Sequence, residues 1–543
     1  ACSALKRDNE ALLSYQKIMK VDPTLAGPYY NIGIILKRNG RVEEAIGSYK
    51  KAISLKSDYV QAYNNLGVLY KDNEQYENAI KMFTKAMGIQ PDHQNSYYNI
   101  ALIKKEQGLD EEAVEFLLKL LDLNPDHKDG KTLFKKDTKL YRNYMLRCYN
   151  EAIKINPKNA NNYYNKAITL KDSDRIEEAE KNYREAIKLD PKHIGARHNL
   201  ALIYKARGQV EEALAIAKNI LEFGSIHPVQ FFSIGIWNLQ LGRWKEGWKY
   251  YEYRWKIMPQ NKVIWPIQDK PLWAGEKAKS VVLWREQGIG DEIICLSLVP
   301  EVKEMCDILS VCVDPRLQAL CERTMPEINF IKDSSELKDV ECEYHLPLGS
   351  IPGLIRNNIS DFDRTVKGYM KADPQRVESI RNELKLEGRT VIGISWKSFN
   401  SLNPLKKSVQ LKDMERIFSG LDVVLVNLQY GDVEDEIREF KEATGIDVVQ
   451  CASVDNREDL DGLAALIEVC DLVVSITNVT VHLAGALAKK TWVLLSYVSI
   501  YFWLLDRPDS IWYPSLTLYR QPTLNDWDSV YVSIRKDLQS KLY

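Results

Sequence analysis

A block of residues returns every 34 positions along the first half of this 543-residue chain, and few folds satisfy that constraint. Asn31-Ile32-Gly33 recurs as Asn65-Leu66-Gly67 and Asn99-Ile100-Ala101. It returns as Asn165-Lys166-Ala167 and Asn199-Leu200-Ala201, and more weakly as Ser233-Ile234-Gly235. A second column stays in phase: Ala45, Ala79, Ala113, Ala179, Ala213 and Gly247. A third marks turns at Pro23, Pro91, Pro125, Pro157 and Pro191, with Ser57 and Ser225 in the same phase. Small residues at a fixed phase let two helices touch, and proline ends the second. Each unit is a helix pair that cannot bury its apolar face alone, so the units must stack into an α-solenoid.

This pattern resembles the tetratricopeptide repeat, with about seven units over residues 1–257. The interval from Asn99 to Asn165 is 66 residues, two short of two repeats. Leu133 takes the asparagine column there, and the unit over 128–159 is expected to be irregular. The last unit, 241–255, is crowded with aromatics and is expected to bury both faces as a coupling element.

The asparagine column sits on the first helix of each unit, which lines the concave surface of such superhelices. A side-chain amide donates and accepts, so it can pair with any peptide backbone. Here the chain resembles the O-GlcNAc transferase superfamily, whose asparagine ladder holds extended protein acceptors. That resemblance implies acceptor-binding roles for Asn31, Asn65, Asn99, Asn165 and Asn199; Leu133 and Ser233 break the ladder. The alternative is that these asparagines bond between neighbouring repeats.

Past Pro259 the period changes. Pro266, Pro271 and Gly275, with Trp265 and Trp273, mark a linker over 258–280. Apolar runs then alternate with helical segments, at 280–284, 308–313, 328–331 and 344–348. A second series begins at 390–395 and continues at 423–428, 448–450, 471–475 and 491–495. Alternation of this kind implies parallel, doubly wound sheets. Two Rossmann-like domains, 281–387 on the acceptor side and 388–543 on the nucleotide side, make the GT-B architecture. A dehydrogenase would need a third glycine after Gly288-Ile289-Gly290, but that place is Ile293. The acidic residue expected after the next strand is met only by Asp314, which precedes Pro315.

Residues 475–495 run from a strand through the turn Thr477-Asn478-Val479-Thr480 into a helix of small residues. Such a turn aims unpaired N–H groups and the positive helix end at one point, which suits a phosphate. Asn478 and Thr480 are expected to cap the helix while donating to the anion. An ordinary capped crossover helix would read the same way.

Taken with Gly247-Trp248 through Trp255, Glu286–Asp291, Leu428-Gln429, 478–487, 510–514 and Arg520-Gln521, the chain resembles bacterial tetratricopeptide-repeat glycosyltransferases. These are related to O-GlcNAc transferase and to heptosyltransferases, and include flagellin glycosyltransferases. The resemblance implies a nucleotide-sugar donor, no metal or other cofactor, and a protein acceptor whose Ser or Thr hydroxyl is modified. In heptosyltransferase-like relatives the aspartate matching Asp291 is the proposed base; an N-cap role in the helix that follows is the alternative. Lys397, past a strand end, is expected to be the cation for the leaving phosphate; the alternative is a surface lysine. His482 is expected to be a neutral hydrogen-bonding group near the donor, or else packed structurally. Gln429 could touch the base or ribose, and Gly288 and Gly290 let backbone approach the cleft. The segment 401–407 departs from the family and is expected to alter donor choice.

Net charge of −1 argues against a general nucleic-acid or membrane-surface role. Nine cysteines without a CxxC pair, among them Cys295, Cys312 and Cys470, read as reduced thiols of a cytoplasmic protein. The longest apolar run, 491–505, is shorter than the roughly 18–20 residues of a membrane span. Asp361-Phe362-Asp363 and Asp459-Leu460-Asp461 do not end apolar strands, and the seven histidines lack ligand spacing. The chain starts at Ala1 inside a helical pattern, so its natural N-terminus is expected to lie further upstream. A scaffold with a degenerate transferase domain, or a transferase for glycan or lipid-linked sugar, are the other readings.

Overall fold

The computed structural model describes every residue except 1, 125–126, 131–132, 134–137, 224–226, 258–266, 268, 333, 365–366, 387, 399–407 and 543. The turn residues Pro125 and Ser225, the linker residues Pro259, Trp265 and Pro266, and the segment 401–407 thus lie outside the described residues. The chain divides into two units, Ala1–Ala196 and Arg197–Tyr543.

The first unit is built of helix pairs: Ala26–Arg38 with Val42–Leu55, Val60–Asp72 with Tyr76–Ile89, and Gln94–Glu106 with Asp110–Leu123. After the irregular unit come Ala160–Asp172 and Ile176–Leu189. The small-residue columns explain the pairing. Ala45, Ala79, Ala113 and Ala179 are fully buried. A Cβ on Gly33 would stand 2.7 Å from the Tyr49 ring, and one on Gly67 2.7 Å from Phe83, so the helices approach as closely as glycine allows. In the irregular unit the helix Thr138–Ile155 runs 18 residues where its counterparts run 14.

The second unit opens with the last repeats, Ile194–Ala206 (begun in the first unit) followed by Val210–Lys218, then Pro228–Gln240 and Trp244–Tyr251. The aromatic helix does not bury both faces. Trp244, Gly247, Trp248 and Tyr251 form one buried stripe at helical spacing, while Lys245 and Lys249 stay exposed.

Two parallel sheets follow. The first lobe has β1 (Ala278–Trp284), β2 (Cys306–Cys312), β3 (Asn329–Ile331) and β4 (Tyr344–Pro347), in the order 3-2-1-4. The second lobe has β5 (Thr390–Ser395), β6 (Val423–Asn427), β7 (Val448–Val449), β8 (Leu472–Ile476), β9 (Thr491–Leu495) and β10 (Leu516–Arg520), in the order 10-9-8-5-6-7. Strands β8 and β9 are buried along their whole length, as continuous apolar runs predict for a sheet covered on both faces. In each lobe the chain winds outward from one strand and then reverses. The reversal lies between β1 and β4 in the first lobe and between β5 and β8 in the second. Crevices at the carboxyl ends of such strands are where α/β sheets bind ligands.

Candidate functional site

Apart from the repeat asparagines, the residues singled out in sequence fall at or beside these two reversal points. In the first lobe, β1 ends at Trp284 and the turn 285–288 leads into the helix Ile289–Leu296. Gly288 is its N-cap, which places Asp291 in the first turn and not at the cap. Asp291 lines a cavity of about 10 Å³ together with Arg285, Glu286, Gln287, Glu292, Cys295, Leu348 and Gly349. That volume leaves room for about one water molecule, too little for a sugar in this conformation.

Carboxylates crowd this spot, and each is managed differently. Glu286 is paired with Arg254, whose Nε and Nη2 donate to it at 3.1 and 2.7 Å; Arg254 Nη2 also donates to Ser350 Oγ at 2.7 Å. Glu292 is 3% exposed; burial pushes its carboxyl up to about 7, against the Asp314 N–H bond and nearby Arg285. One Glu292 oxygen accepts from Asp314 N at 2.5 Å, and the other has no hydrogen bond. Asp314, although burial raises it, is held below the usual carboxylate range by Arg316 and Arg285.

In the second lobe, β8 leads into the helix Val479–Ala486 with Asn478 as N-cap. The expected capping does not occur. The Asn478 amide donates instead to Ser395 Oγ at 2.6 Å and to Lys397 O at 3.3 Å, and Thr480 Oγ1 donates to Leu428 O at 3.3 Å. Both side chains tie the helix to the ends of β5 and β6. No Asn478 side-chain acceptor closes the helix's first turn.

Gln429 braces the same corner. Its Oε1 accepts from Ser395 Oγ, Trp396 N and Lys397 N at 3.0, 2.9 and 2.7 Å, and its Nε2 donates to Tyr430 O at 3.0 Å. At 1% exposure it acts in this structure by fixing the Lys397 backbone. Lys397 Nζ pairs with Glu436. His482, 6% exposed, has Nδ1 3.2 Å from Tyr513 Oη and stacks on Trp503 at 5.4 Å and 21°.

The two lobes meet at these elements. A Cβ on Gly290 would stand 2.8 Å from His482 Cδ2, so only glycine lets the Asp291 turn come so close. Gly288, Gly290 and Asp291 are thereby brought against the helix that carries Asn478, Thr480 and His482. The asparagine column is half-buried throughout. Asn65 Nδ2 donates to Tyr30 Oη of the preceding repeat at 3.2 Å, and Asn99 Nδ2 to Asn95 O at 2.8 Å. Sequence reading missed Glu292, Glu436, Trp503 and Tyr513; the run Trp512-Tyr513-Pro514 stood out, but its role depends on a partner 31 residues away.

Family models described as TPR repeat and tetratricopeptide repeat match residues 35–74, 60–93, 94–127, 148–181 and 170–224. Protein FlbA of Caulobacter vibrioides is 29% identical over 311 residues, which are 53% of this chain and 51% of that protein. The chain thus spans about half the length of that curated relative. A solved structure of YrrB, described as a TPR protein with an unusual peptide-binding site, is 20% identical with a TM-score of 0.20, covering 40% of this chain and 96% of that one. MamA of Desulfovibrio magneticus RS-1 is 17% identical with a TM-score of 0.18, covering 36% of this chain and 94% of that one. Among the described residues no helix is long and apolar enough to cross a membrane. Residues 35–127 and 148–224 are therefore tetratricopeptide repeats, followed by two parallel α/β sheets.

Proposed function

We propose that the chain is a metal-independent glycosyltransferase of the GT-B type, moving a sugar from a nucleotide-sugar to a hydroxyl of a protein acceptor recruited by the repeats. The observation that carries this reading is the convergence of both reversal points on one spot, with the Asp291 turn packed against the helix Val479–Ala486 through Gly290 and His482.

The proposed roles rest on that geometry. The first-turn N–H groups of Val479–Ala486, with Lys397, offset the charge that develops on the leaving phosphate. Asp291 takes the acceptor proton as the hydroxyl attacks the anomeric carbon and the bond to the nucleotide oxygen breaks. The uncapped helix start supports the first role, and the hydroxyl-sized cavity beside Asp291 supports the second. Flagellin is the acceptor suggested by the resemblance to bacterial relatives of this layout, and the Asn31, Asn65, Asn99, Asn165 and Asn199 amides would grip its backbone.

The test is release of UDP, GDP or CMP from a panel of nucleotide-sugars in EDTA, with and without acceptor, in wild type and Asp291→Asn. Loss of a general base costs about 10²–10⁴-fold in rate. Asp291→Asn is expected to lose transfer by that factor while retaining nucleotide binding; unchanged transfer would remove Asp291 from its role. A second reading, a repeat scaffold that binds nucleotide without turnover, is favoured by the Lys397–Glu436 pair, which neutralises the expected phosphate cation. Nucleotide binding without release from any sugar donor would select it.

A further inference from the structure

We propose that Gln240, the last residue of the repeat helix Pro228–Gln240, is a positioning residue for the donor site: it holds the loop 496–505 that seats Trp503 on His482. This deepens the transferase reading and rests on it for the identity of the site.

Gln240 is 1% exposed, and its Nε2 donates to the Ser499 carbonyl at 2.6 Å across 259 residues of chain. Its Oε1 has no hydrogen-bond partner, so this bond is the one that offsets the cost of burying the amide, and it specifies where the loop must lie. From Ser499 the grip passes along the loop. Arg520, at the end of β10, donates to Ser499 Oγ at 2.6 Å, to Trp503 O at 3.0 Å and to Leu504 O at 2.9 Å. Leu504 sits at φ +48°, a conformation that a leucine keeps only where its surroundings over-determine it. The segment so fixed carries Phe502, edge-on to His482 at 6.2 Å, and Trp503, stacked on it.

The rest of the loop is also built against the repeats. Tyr497 lies where a Cβ on Gly208 would be 2.7 Å from its ring, and Leu505 packs on the cluster of Ala201, Ala213 and Trp237. Tyr501 meets Trp248 edge-on at 6.0 Å and Tyr251 at 5.8 Å. The helix Pro228–Gln240 also carries Ser233, in the phase of the asparagine column. That position breaks the asparagine ladder, its hydroxyl donating to Val229 O at 3.0 Å, and the same helix ends on the loop that packs His482.

The experiment uses the whole chain labelled with ¹³C-histidine. The His482 resonance is assigned by its absence in His482→Gln, and Gln240→Met is compared with wild type without ligand. Displacement of that resonance alone, as the Trp503 ring leaves its stacked position, is expected; an unmoved resonance in folded Gln240→Met overturns the proposal. Binding of UDP, GDP and CMP is then measured by calorimetry. The lost bond is expected to weaken the preferred nucleotide about three- to tenfold. A displaced resonance with unchanged affinity also overturns the proposal, because the loop would then not serve the donor. A wild type that binds none of the three defeats the transferase reading, while the resonance still decides whether Gln240 positions His482. Should Gln240→Met fold poorly, Gln240→Asn, whose amide is one methylene too short to reach the Ser499 carbonyl, makes the same comparison.

Discussion

On the proposed reading, the Lys397–Glu436 ion pair sets nucleotide affinity. A phosphate arriving at the helix Val479–Ala486 must compete with the Glu436 carboxylate, which also accepts from Leu411 N at 3.4 Å. Glu436→Gln frees the ammonium and is expected to tighten nucleotide binding about tenfold, as charge-assisted bonds of this kind allow. Unchanged affinity by calorimetry would put Lys397 outside the phosphate site. Glu292 gives a second residue-scale prediction. Its carboxyl titrates near 7 when folded against 4.5 when unfolded. Because the folded value is the higher, the group's contribution to stability is full below pH 4.5, is lost as pH rises to about 7, and is constant above. The loss is about 3 kcal/mol for a shift of this size. Glu292→Gln, which keeps an acceptor for Asp314 N, is expected to flatten urea-unfolding stability between pH 5 and 7. An unchanged slope would mean that the carboxyl titrates normally.

At the scale of elements, close approach is written into particular glycines. Gly67→Ala drives a methyl to 2.7 Å from Phe83, and Gly290→Ala to 2.8 Å from His482. Overpacking of this kind costs about 1–3 kcal/mol. Both are expected to lower the melting temperature, but only Gly290→Ala should also slow sugar transfer. Equal activity losses would mean that the two sites report stability alone. The repeat helices were legible in sequence because helix contact demands a small residue at fixed phase, so Gly33, Ala45, Gly67 and Ala79 announce themselves. Buried strands were legible as apolar runs. β10 was not, since Leu516–Arg520 is an edge strand that alternates buried and exposed positions and carries polar residues. The stripe Trp244, Gly247, Trp248 and Tyr251 was legible as aromatic, but composition hid that the lysines between them share one exposed face.

At the scale of the whole molecule, the second unit holds its two lobes with charge as well as apolar packing. Arg323 of the first lobe donates to both oxygens of Asp461 at 2.8 and 3.0 Å, and Arg316 donates to Arg457 O at 3.1 Å. A bidentate pair carries orientation as well as energy, so it fixes how the lobes face each other. Sequence could not show this, nor Gln240 meeting Ser499, because contacts between residues more than a hundred positions apart leave no local period. It did show the two helix starts, and the sheets bring them together at the candidate site. In the repeats, Asn65→Ala with Asn99→Ala is expected to weaken transfer to a protein acceptor and leave donor hydrolysis unchanged. Equal transfer would assign those amides to contacts such as Asn65 with Tyr30.

The corner formed by Lys397 and the helix Val479–Ala486 is proposed to bind the phosphate of a nucleotide-sugar without metal. Thermal unfolding of wild type and Lys397→Ala with UDP, GDP or CMP, each in EDTA, tests it directly. A ligand that binds only the folded state adds about 2.7 kcal/mol of stability at a hundredfold excess over Kd and so raises the melting temperature. A rise with one of the three nucleotides, lost in Lys397→Ala, is expected. No rise with any of them, or an equal rise in the variant, would contradict it.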